Sequence, residues 1–286
     1  MNILITGAQG QLGKDLEQVL LSAGTNEVIC LGRSELDVIR SQEVMQVILA
    51  ARPQVIIHAA VNTNVDHCEL DKDSAYLVNS LGTRNVAVAA AKVEAKLVYV
   101  STDYVFDGQA TKSYTEFDPP HPISIYGKSK LAGGKYIAGF SNKYFIVRTS
   151  WLYGYYGKNF VKTMLSMLSL VKEKGEANVV NDQVGSPTYT KDLAGFLVHL
   201  MQTELYGIYH ATNSGECSWF DFARTIFKKA GLDYVKLRPI STIELNRPAP
   251  RPAYSVLNNY CLKLQGLPGL RPWEEALEEF LAEYFS

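Results

Sequence analysis

Short apolar runs alternate along the chain with segments in which apolar positions recur every three or four residues. A run at 2–6 (NILIT) is followed by a segment with Leu12, Leu16 and Leu20 on one helical face, and then by a second run at 28–31. A short, continuously apolar run fits a strand buried on both faces, whereas a 3.6-residue period fits a helix. The pattern therefore predicts a strand, a helix and a strand from the N-terminus.

The same alternation continues to residue 148. It predicts further helices at about 41–51, 72–92 and 125–139, and further strands at 55–58, 97–101 and 144–148. Apolar strands that are separated by helices form parallel sheets covered on both faces. The expected fold is therefore α/β, a Rossmann-type doubly wound parallel sheet.

Beyond Arg148 the pattern is less regular. It predicts helices near 159–173, 191–202, 219–229 and 273–284, and short strands at 178–180 and 208–211. The prolines of 246–252 (NRPAPRP) lack the N–H that a helix or central strand needs, so this segment is expected to be an ordered loop or lid. We predict a first domain over 1–150 and a smaller C-terminal substrate-binding lobe over 151–286, with later segments returning to the first domain.

Composition excludes several classes of protein. The 286 residues carry 28 Lys plus Arg against 29 Asp plus Glu, a net charge of −1 that provides no basic surface for nucleic acid. The cysteines, Cys30, Cys68, Cys217 and Cys261, have neither metal-site nor disulfide spacing, as is usual in a reducing compartment. No signal peptide or membrane-length apolar run is present. We expect a cytoplasmic protein without nucleic-acid or membrane partners.

A glycine-rich segment, 7–13 (GAQGQLG), follows the first predicted strand and opens the first predicted helix. Small residues there let the backbone approach a pyrophosphate, and the helix N-terminus supplies N–H groups and a positive dipole end. Glycines also end strands for structural reasons alone, but this position favours a dinucleotide site. The predicted contacts are Gly7, Gly10, Gln11, Leu12 and Gly13.

The end of the second strand selects between NAD and NADP in this fold. Here it reads Leu31-Gly32-Arg33-Ser34, without a carboxylate, so we expect NADPH to be preferred and NADH to be possible. An ordinary solvated loop arginine is the alternative interpretation of Arg33. The remaining predicted cofactor contacts, which a turn and a packed strand end would explain equally well, are Asp37, Val38, Ala59, Ala60 and Val61.

Two further segments carry candidate chemistry. Tyr126 and Lys130 are four residues apart, hence on one helical face, and resemble the Tyr-x-x-x-Lys motif of short-chain dehydrogenases. A nearby ammonium favours phenolate, so Lys130 is expected to lower the pKa of Tyr126. Ser101, Thr102 and Asp103 leave the fourth strand where such sheets bind ligands, and a hydroxyl there could bind a substrate carbonyl. The spacing does not decide which hydroxyl acts, and a plain turn is the alternative.

Seven stretches resemble the extended short-chain dehydrogenase/reductases, and within them the dTDP-4-dehydrorhamnose reductases, over essentially the whole chain. They are GAQGQLG, STDYVFDG, YGKSKLAGG, VRTSWLYG, NDQVGSPT, GIYHATNSGECSW and RPAYSVL. The resemblance implies NADPH-dependent reduction of the C4 ketone of dTDP-4-dehydrorhamnose to dTDP-L-rhamnose. Tyr126 would donate the proton, Lys130 would tune Tyr126 and bind the nicotinamide ribose, and Thr102 would hydrogen-bond the ketone oxygen.

The resemblance also implies substrate contacts. Asp103 and Trp151 are expected to contact the sugar, although a core position at the domain seam would equally explain Trp151. Arg251 is a candidate for the nucleotide diphosphate because its planar guanidinium suits phosphate, with a surface salt bridge as the alternative.

Some members of this family form a dimer around a magnesium ion held by acidic side chains. Asp15 and Glu283 would supply acids here, but Lys191 lies where a further acid is expected and would repel the metal. We therefore predict no metal site and a monomer or weak homodimer.

Two other functions stay open. The chain could be another nucleotide-sugar enzyme, an epimerase or dehydratase that retains NAD, or a non-catalytic dinucleotide-binding regulatory subunit. The intact set Thr102, Tyr126 and Lys130 argues against the regulatory subunit.

Overall fold

The computed structural model describes residues 1–22, 24, 27–167 and 176–286. The strands in chain order are β1 (Asn2–Thr6), β2 (Glu27–Leu31), β3 (Val55–His58), β4 (Lys96–Thr102), β5 (Tyr144–Thr149), β6 (Leu152–Tyr153), β7 (Ala177–Val180), β8 (Val184–Gly185), β9 (Thr188–Tyr189), β10 (Gly207–His210), β11 (Cys217–Ser218) and β12 (Leu237–Ile240).

Helices cover both faces of the main sheet, and others lie in the C-terminal part of the chain. They are α1 (Gln11–Ser22), α2 (Ser41–Ala51), α3 (Val65–Leu70), α4 (Lys72–Tyr76), α5 (Thr83–Lys92), α6 (Ile125–Phe140), α7 (Phe160–Ser166), α8 (Thr190–Leu200), α9 (Trp219–Lys229), α10 (Thr242–Leu245), α11 (Tyr260–Leu264) and α12 (Trp273–Phe285). A π-helical turn, Leu77–Gly82, joins α4 to α5, and a 3₁₀ turn, Asp103–Val105, follows β4.

Within the described residues, six strands form one sheet in the order β10-β5-β4-β3-β1-β2. Every neighbouring pair is parallel, which confirms the predicted Rossmann-type doubly wound sheet. Since β2 and β3 lie on opposite sides of β1, the chain reverses its direction across the sheet there. Such reversals open a crevice at the carboxyl ends of the strands, where ligands bind.

The alternation of side chains along β1 divides the core between the two faces of the sheet. Ile3 and Ile5 pack with α1 and α8, whereas Leu4 packs with α2, α5 and α6. All three side chains are fully buried, and each contributes roughly 1.5–3 kcal/mol through its removal from water. The sheet is therefore held on both sides, which fixes the strand ends that form the site.

A separate apolar cluster lies in the part of the chain that follows β5, and α7, α9 and α12 contribute to it. Tyr153, Phe222, Trp273 and Phe280 are its large buried side chains. Three two-stranded ladders, β6–β9, β7–β12 and β8–β11, lie in this part of the described chain. Two elements from this later part of the chain belong with the main sheet instead. The strand β10 pairs with β5, and α8 packs on α1.

The structure differs from the predicted elements in several places. The helix expected over 72–92 is three successive helical segments, and α3 was not predicted because six residues carry too little periodicity. Of the helix expected over 159–173, the described part ends at Ser166, and residues 168–173 lie outside the described residues. Pro239 lies within β12, which pairs only with β7 among the described strands. As predicted, 246–252 forms neither helix nor strand.

In the described part of the chain, no helix combines the length and the apolar character that crossing a bilayer requires.

Candidate functional site

A cleft of about 1060 Å³ opens at the carboxyl ends of the strands of the main sheet. Every residue predicted to bind a cofactor or substrate lines this cleft, with the exception of Arg251. The lining residues from that set are Gly7, Gly10, Gln11, Leu12, Gly13, Arg33, Asp37, Val38, Ala59, Ala60, Val61, Thr102, Asp103, Tyr126, Lys130 and Trp151.

The turn from β1 to α1 forms one end of the cleft. Gly7 has φ +72°, and a Cβ on this residue would lie 2.6 Å from the backbone nitrogen of Ala60. The first helical hydrogen bond runs from Lys14 N–H to the Gly10 carbonyl at 3.1 Å, so the amides of 11–13 precede it. These amides and the open glycine turn fit the pyrophosphate of a dinucleotide.

The end of β2 carries charges of both signs. The Arg33 side chain is 82% exposed, and its Nε lies 3.9 Å from an oxygen of Asp37. The interpretation that no carboxylate lies at this strand end was wrong, because Glu35 folds back and accepts a hydrogen bond from Gly32 N–H at 2.9 Å. The Ser34 hydroxyl also donates to Glu35 and holds the pKa of that carboxyl below its usual value. The sequence did offer a signal for this contact, because a carboxylate three residues after Gly32 is within reach of the Gly32 N–H.

The first turn of α6 positions Tyr126 and Lys130. Ser124 begins the helix by accepting the Gly127 N–H at 3.1 Å, a typical N-cap. Tyr126 and Lys130 then face the interior one turn apart, 9% and 2% exposed. The Lys130 ammonium donates to the Val100 carbonyl at 2.7 Å, at the end of β4. The helix and the sheet thus hold both side chains at one edge of the cleft.

The pKa of Tyr126 differs in direction from the sequence expectation. Burial raises it above its usual value, and hydrogen bonding with the Thr102 hydroxyl lowers it only partway. Lys130 is not among the groups that act on this pKa, and burial lowers the pKa of Lys130 itself to about 7. Tyr126 is therefore a neutral phenol at neutral pH, the form that can donate a proton.

Asp103 offers an acceptor inside the cleft. It is 2% exposed, and one carboxyl oxygen accepts a hydrogen bond from the Thr102 hydroxyl at 3.0 Å. The other oxygen is buried without a hydrogen-bond partner among the described residues. Burial raises the pKa of Asp103 to about 6. A ligand hydroxyl that donates to this oxygen would satisfy a group that is costly to leave unpaired.

We expect the pH dependence of stability to change in Asp103→Asn. A carboxyl whose native pKa is about 6, against a usual 3.8, stabilises the native state below pH 3.8 and loses that contribution as the pH rises through 6. The wild type minus variant difference in the free energy of unfolding should therefore fall as the pH rises from 3.8 to above 6. The fall should be up to about 3 kcal/mol, at about 1.4 kcal/mol per pKa unit. Equilibrium urea unfolding across this range measures the difference, and a pH-independent difference would contradict it.

Two tryptophans from different parts of the chain form a wall of the cleft. Trp151 has φ +50°, a left-handed conformation that is rare for a bulky residue, and its ring stacks on Trp219 with centroids 3.5 Å apart. A Cβ on Gly185 would lie 2.5 Å from the Trp151 ring, so the indole is closely packed. Trp219 Nε1 donates to Gln183 at 3.2 Å. Trp219 was missed as a site residue, although it ends one of the stretches that carried the resemblance.

Arg251 lies outside the cleft lining. Its Nη1 and Nη2 each donate to one oxygen of Asp66 at 3.1 Å, and Nη1 also donates to the Ala249 carbonyl at 3.0 Å. The salt bridge that the sequence left as an alternative is thus present, although the Arg251 side chain is only 16% exposed.

The surroundings of Asp15 and Glu283 do not fit a magnesium ion. Lys191 Nζ forms ion pairs with Glu279, at 2.9 Å, and with Glu283, so a cation already neutralises these acids. Burial raises the pKa of Asp15, which makes it a weaker anion. In the described residues, no three His, Cys, Asp or Glu side chains are grouped to hold a metal.

Comparisons with known proteins agree over the whole chain. The family model described as "RmlD substrate binding domain" matches residues 1–286. The spore coat polysaccharide biosynthesis protein SpsK of Bacillus subtilis is 43% identical over 281 residues, which cover 98% of this chain and 97% of that protein. A dTDP-4-dehydrorhamnose reductase of Aggregatibacter actinomycetemcomitans is 43% identical over 293 residues, covering 98% of each. The crystal structure of dTDP-4-dehydrorhamnose reductase from Bacillus anthracis in complex with NADP has a TM-score of 0.94 and 48% identity, covering 99% of both chains.

Proposed function

The chain belongs to the RmlD substrate-binding-domain family, and from this premise we propose that it is the NADPH-dependent reductase that converts dTDP-4-dehydrorhamnose to dTDP-L-rhamnose. The observation that carries the proposal is that one cleft joins a glycine turn suited to a pyrophosphate to Thr102, Tyr126 and Lys130. NADPH, when bound, supplies a hydride from C4 of its nicotinamide to the C4 ketone of the sugar. The side chains of the cleft bind, orient and supply the proton.

Tyr126 is assigned as the proton donor. Its phenol is neutral and buried, and reduction leaves an alkoxide that takes the proton from its hydroxyl. The Thr102 hydroxyl, which hydrogen-bonds that of Tyr126, would turn its proton from Asp103 to the same ketone oxygen and stabilise the developing negative charge. Both groups are held by regular structure, α6 for Tyr126 and the end of β4 for Thr102, so little reorganisation is required.

Lys130 is assigned to the nicotinamide ribose. One of its three N–H donors is engaged by the Val100 carbonyl, which leaves donors for ribose hydroxyls. Because its pKa is about 7, the positive charge strengthens when an anionic group approaches. As Tyr126 gives up its proton, a positively charged Lys130 would stabilise the phenolate that forms and so favour the transfer.

The sugar nucleotide is assigned to the part of the cleft that Asp103, Trp151 and Trp219 line. The unpartnered oxygen of Asp103 would accept a sugar hydroxyl, and the indole of Trp151, supported by Trp219, would pack against the apolar side of a deoxy sugar. The predicted diphosphate contact of Arg251 would require its ion pair with Asp66 to break.

A direct assay tests the proposed function. Purified protein is mixed with NADPH and dTDP-4-dehydrorhamnose, and absorbance of the reduced nicotinamide is followed while the product is identified as dTDP-L-rhamnose. Absence of turnover, or a product of C3 or C5 epimerisation without cofactor consumption, would favour a regulatory subunit or an epimerase instead.

We expect Arg33→Ala to reduce the preference for NADPH. If the exposed guanidinium binds the 2′-phosphate, the KM for NADPH should rise by roughly 5- to 30-fold while that for NADH stays the same, since one charge-assisted contact is worth about 1–2 kcal/mol. Initial rates with each cofactor measure this, and Arg40→Ala, an exposed arginine paired with Glu43, is the control. Equal discrimination by Arg33→Ala and wild type would remove Arg33 from cofactor selection.

We also propose a cytoplasmic location and a monomeric or weakly dimeric state. The four cysteines are all unpaired, which suits a reducing compartment. The ion pairs of Lys191 with Glu279 and Glu283 leave no uncompensated acidic cluster there to hold a bridging cation. Sedimentation with and without magnesium and chelator measures the second property, and a magnesium-dependent dimer would contradict it.

A further inference from the structure

The short helix α3 connects the proline-rich segment 246–252 to the helix that carries Tyr126. At its start, Asp66 binds Arg251 of the proline-rich segment. At its end, Glu69 accepts the Ile125 N–H at 2.9 Å, in the first turn of α6. This helix therefore contacts two segments that are more than a hundred residues apart in the chain.

The contact at Asp66 is extensive. Besides the two bonds from Arg251 at 3.1 Å, its carboxylate accepts the Ala249 N–H at 3.3 Å and lies 3.5 Å from Arg247. The side chains of Asp66 and Arg251 are only 21% and 16% exposed. A two-pronged, charge-assisted pair that is shielded from water holds its geometry better than an exposed pair does. Burial raises the pKa of Asp66, but Arg251, the Ala249 N–H and Arg247 together outweigh it and hold that pKa below its usual value.

Tyr104 carries this contact to Tyr126. Burial raises the pKa of the Tyr104 hydroxyl, and the nearby charge of Arg251 acts in the opposite direction. The Tyr104 ring meets the Tyr126 ring edge to face, with centroids 5.5 Å apart. Val65 and Cys68 of α3 complete the apolar cluster around Tyr126. The Tyr126 ring is thus packed between Tyr104 and α3, the helix that carries Asp66.

The backbone near Tyr104 leaves no room for adjustment. A Cβ on Gly127 would lie 2.0 Å from the Tyr104 carbonyl oxygen, so α6 and the 3₁₀ turn are in direct contact. A displacement of Tyr104 would therefore be transmitted to the first turn of α6, where Tyr126 lies.

We propose that Asp66 is a positioning residue of the reductase, which through Arg251 and Tyr104 holds the Tyr126 hydroxyl at the distance that proton transfer requires. The inference rests on the proposed function, since it concerns the proton that completes the ketone reduction. It assigns Arg251 to the support of Tyr126 rather than to the nucleotide diphosphate.

The test is the kinetics of Asp66→Asn, which keeps the side-chain size and removes the charge. We expect kcat to fall by about 10- to 100-fold, because small misplacements of a reacting group have effects of this size. The KM for NADPH should stay within about twofold of the wild type, since the cofactor cradle is untouched. The solvent deuterium isotope effect on kcat should rise, because transfer from a misplaced Tyr126 becomes slower than the other steps.

Two further proteins serve as controls. Arg238→Gln removes an ion pair with Glu244 that is about half exposed and lies near the same segment, and it should leave kcat and the isotope effect unchanged. The charge exchange Asp66→Arg with Arg251→Asp restores a pair of opposite charges, and its kcat should exceed that of either single substitution by about tenfold. Where Asp66→Asn does not fold, Arg251→Lys, which keeps the charge but loses the second bond, takes its place.

Other outcomes overturn the inference. It is wrong if folded Asp66→Asn matches Arg238→Gln in kcat and in isotope effect, and equally if Arg251→Lys raises only the KM for the sugar nucleotide, as a diphosphate ligand would. A wild-type protein that does not oxidise NADPH with this substrate contradicts the proposed function itself, and that result is distinguishable because it precedes any substitution.

Discussion

Tyr126→Phe should retain NADPH and sugar-nucleotide binding while kcat falls by about 10²- to 10⁴-fold, the usual contribution of a positioned general acid. The substitution removes one oxygen from a buried ring that packs on Tyr104 and against α3, so the apolar contacts persist. The hydroxyl that is lost is neutral at neutral pH because burial raises its pKa. The alkoxide would then have to take its proton from water, which is a less effective acid than a positioned phenol.

Steady-state kinetics and cofactor titration separate the possible results of this substitution. Tyr114→Phe is the matched control, because Tyr114 is a similarly buried tyrosine whose hydroxyl bonds Asp107 away from the cleft. A similar loss of kcat in both variants would point to general destabilisation, and an unchanged kcat in Tyr126→Phe would remove Tyr126 as the proton donor. The expected result is a loss of kcat in Tyr126→Phe alone, with both KM values within about threefold of the wild type.

The central sheet was predictable because its strands are buried on both faces. Each must be continuously apolar, and the 55–58 run, for example, is observed as Val55–His58. The placement of the site residues followed from the same geometry, since residues that come directly after parallel strands meet at one sheet edge. Gly7, after β1, and Ala60, after β3, are the clearest example, with a hypothetical Cβ of Gly7 only 2.6 Å from Ala60.

Contacts between distant segments were not predictable. Asp66 and Arg251 are 185 positions apart, and no periodicity relates them. Trp219 opens an amphipathic helix, where an aromatic residue is ordinarily part of the core, and only packing brings it against Trp151. The direction of the pKa shift of Tyr126 was missed for a related reason, because the burial that raises this pKa is a property of the assembled fold.

Gly7→Ala is expected to weaken NADPH binding at least 100-fold and to destabilise the fold, because two separate penalties combine at this position. The left-handed backbone, φ +72°, costs a residue with a Cβ about 1 kcal/mol. The added methyl group would also lie 2.6 to 2.8 Å from backbone atoms of Ala59 and Ala60, which cannot rotate away as a side chain could. The ends of β1 and β3 would have to separate, and the amides that precede α1 would move with them.

A second glycine separates the two penalties. Gly231 has nearly the same backbone angle, φ +70°, but a Cβ there meets nothing within 4 Å. Gly231→Ala should therefore lose only about 1 kcal/mol of stability and keep its affinity for NADPH. Urea unfolding gives the first quantity, and quenching of protein fluorescence by NADPH gives the second. If the two variants are equally destabilised and both bind NADPH normally, the close approach of β1 to β3 is not what forms the cofactor site. If Gly7→Ala instead loses NADPH affinity and loses more stability than Gly231→Ala, the contact between the ends of β1 and β3 is what forms the dinucleotide site.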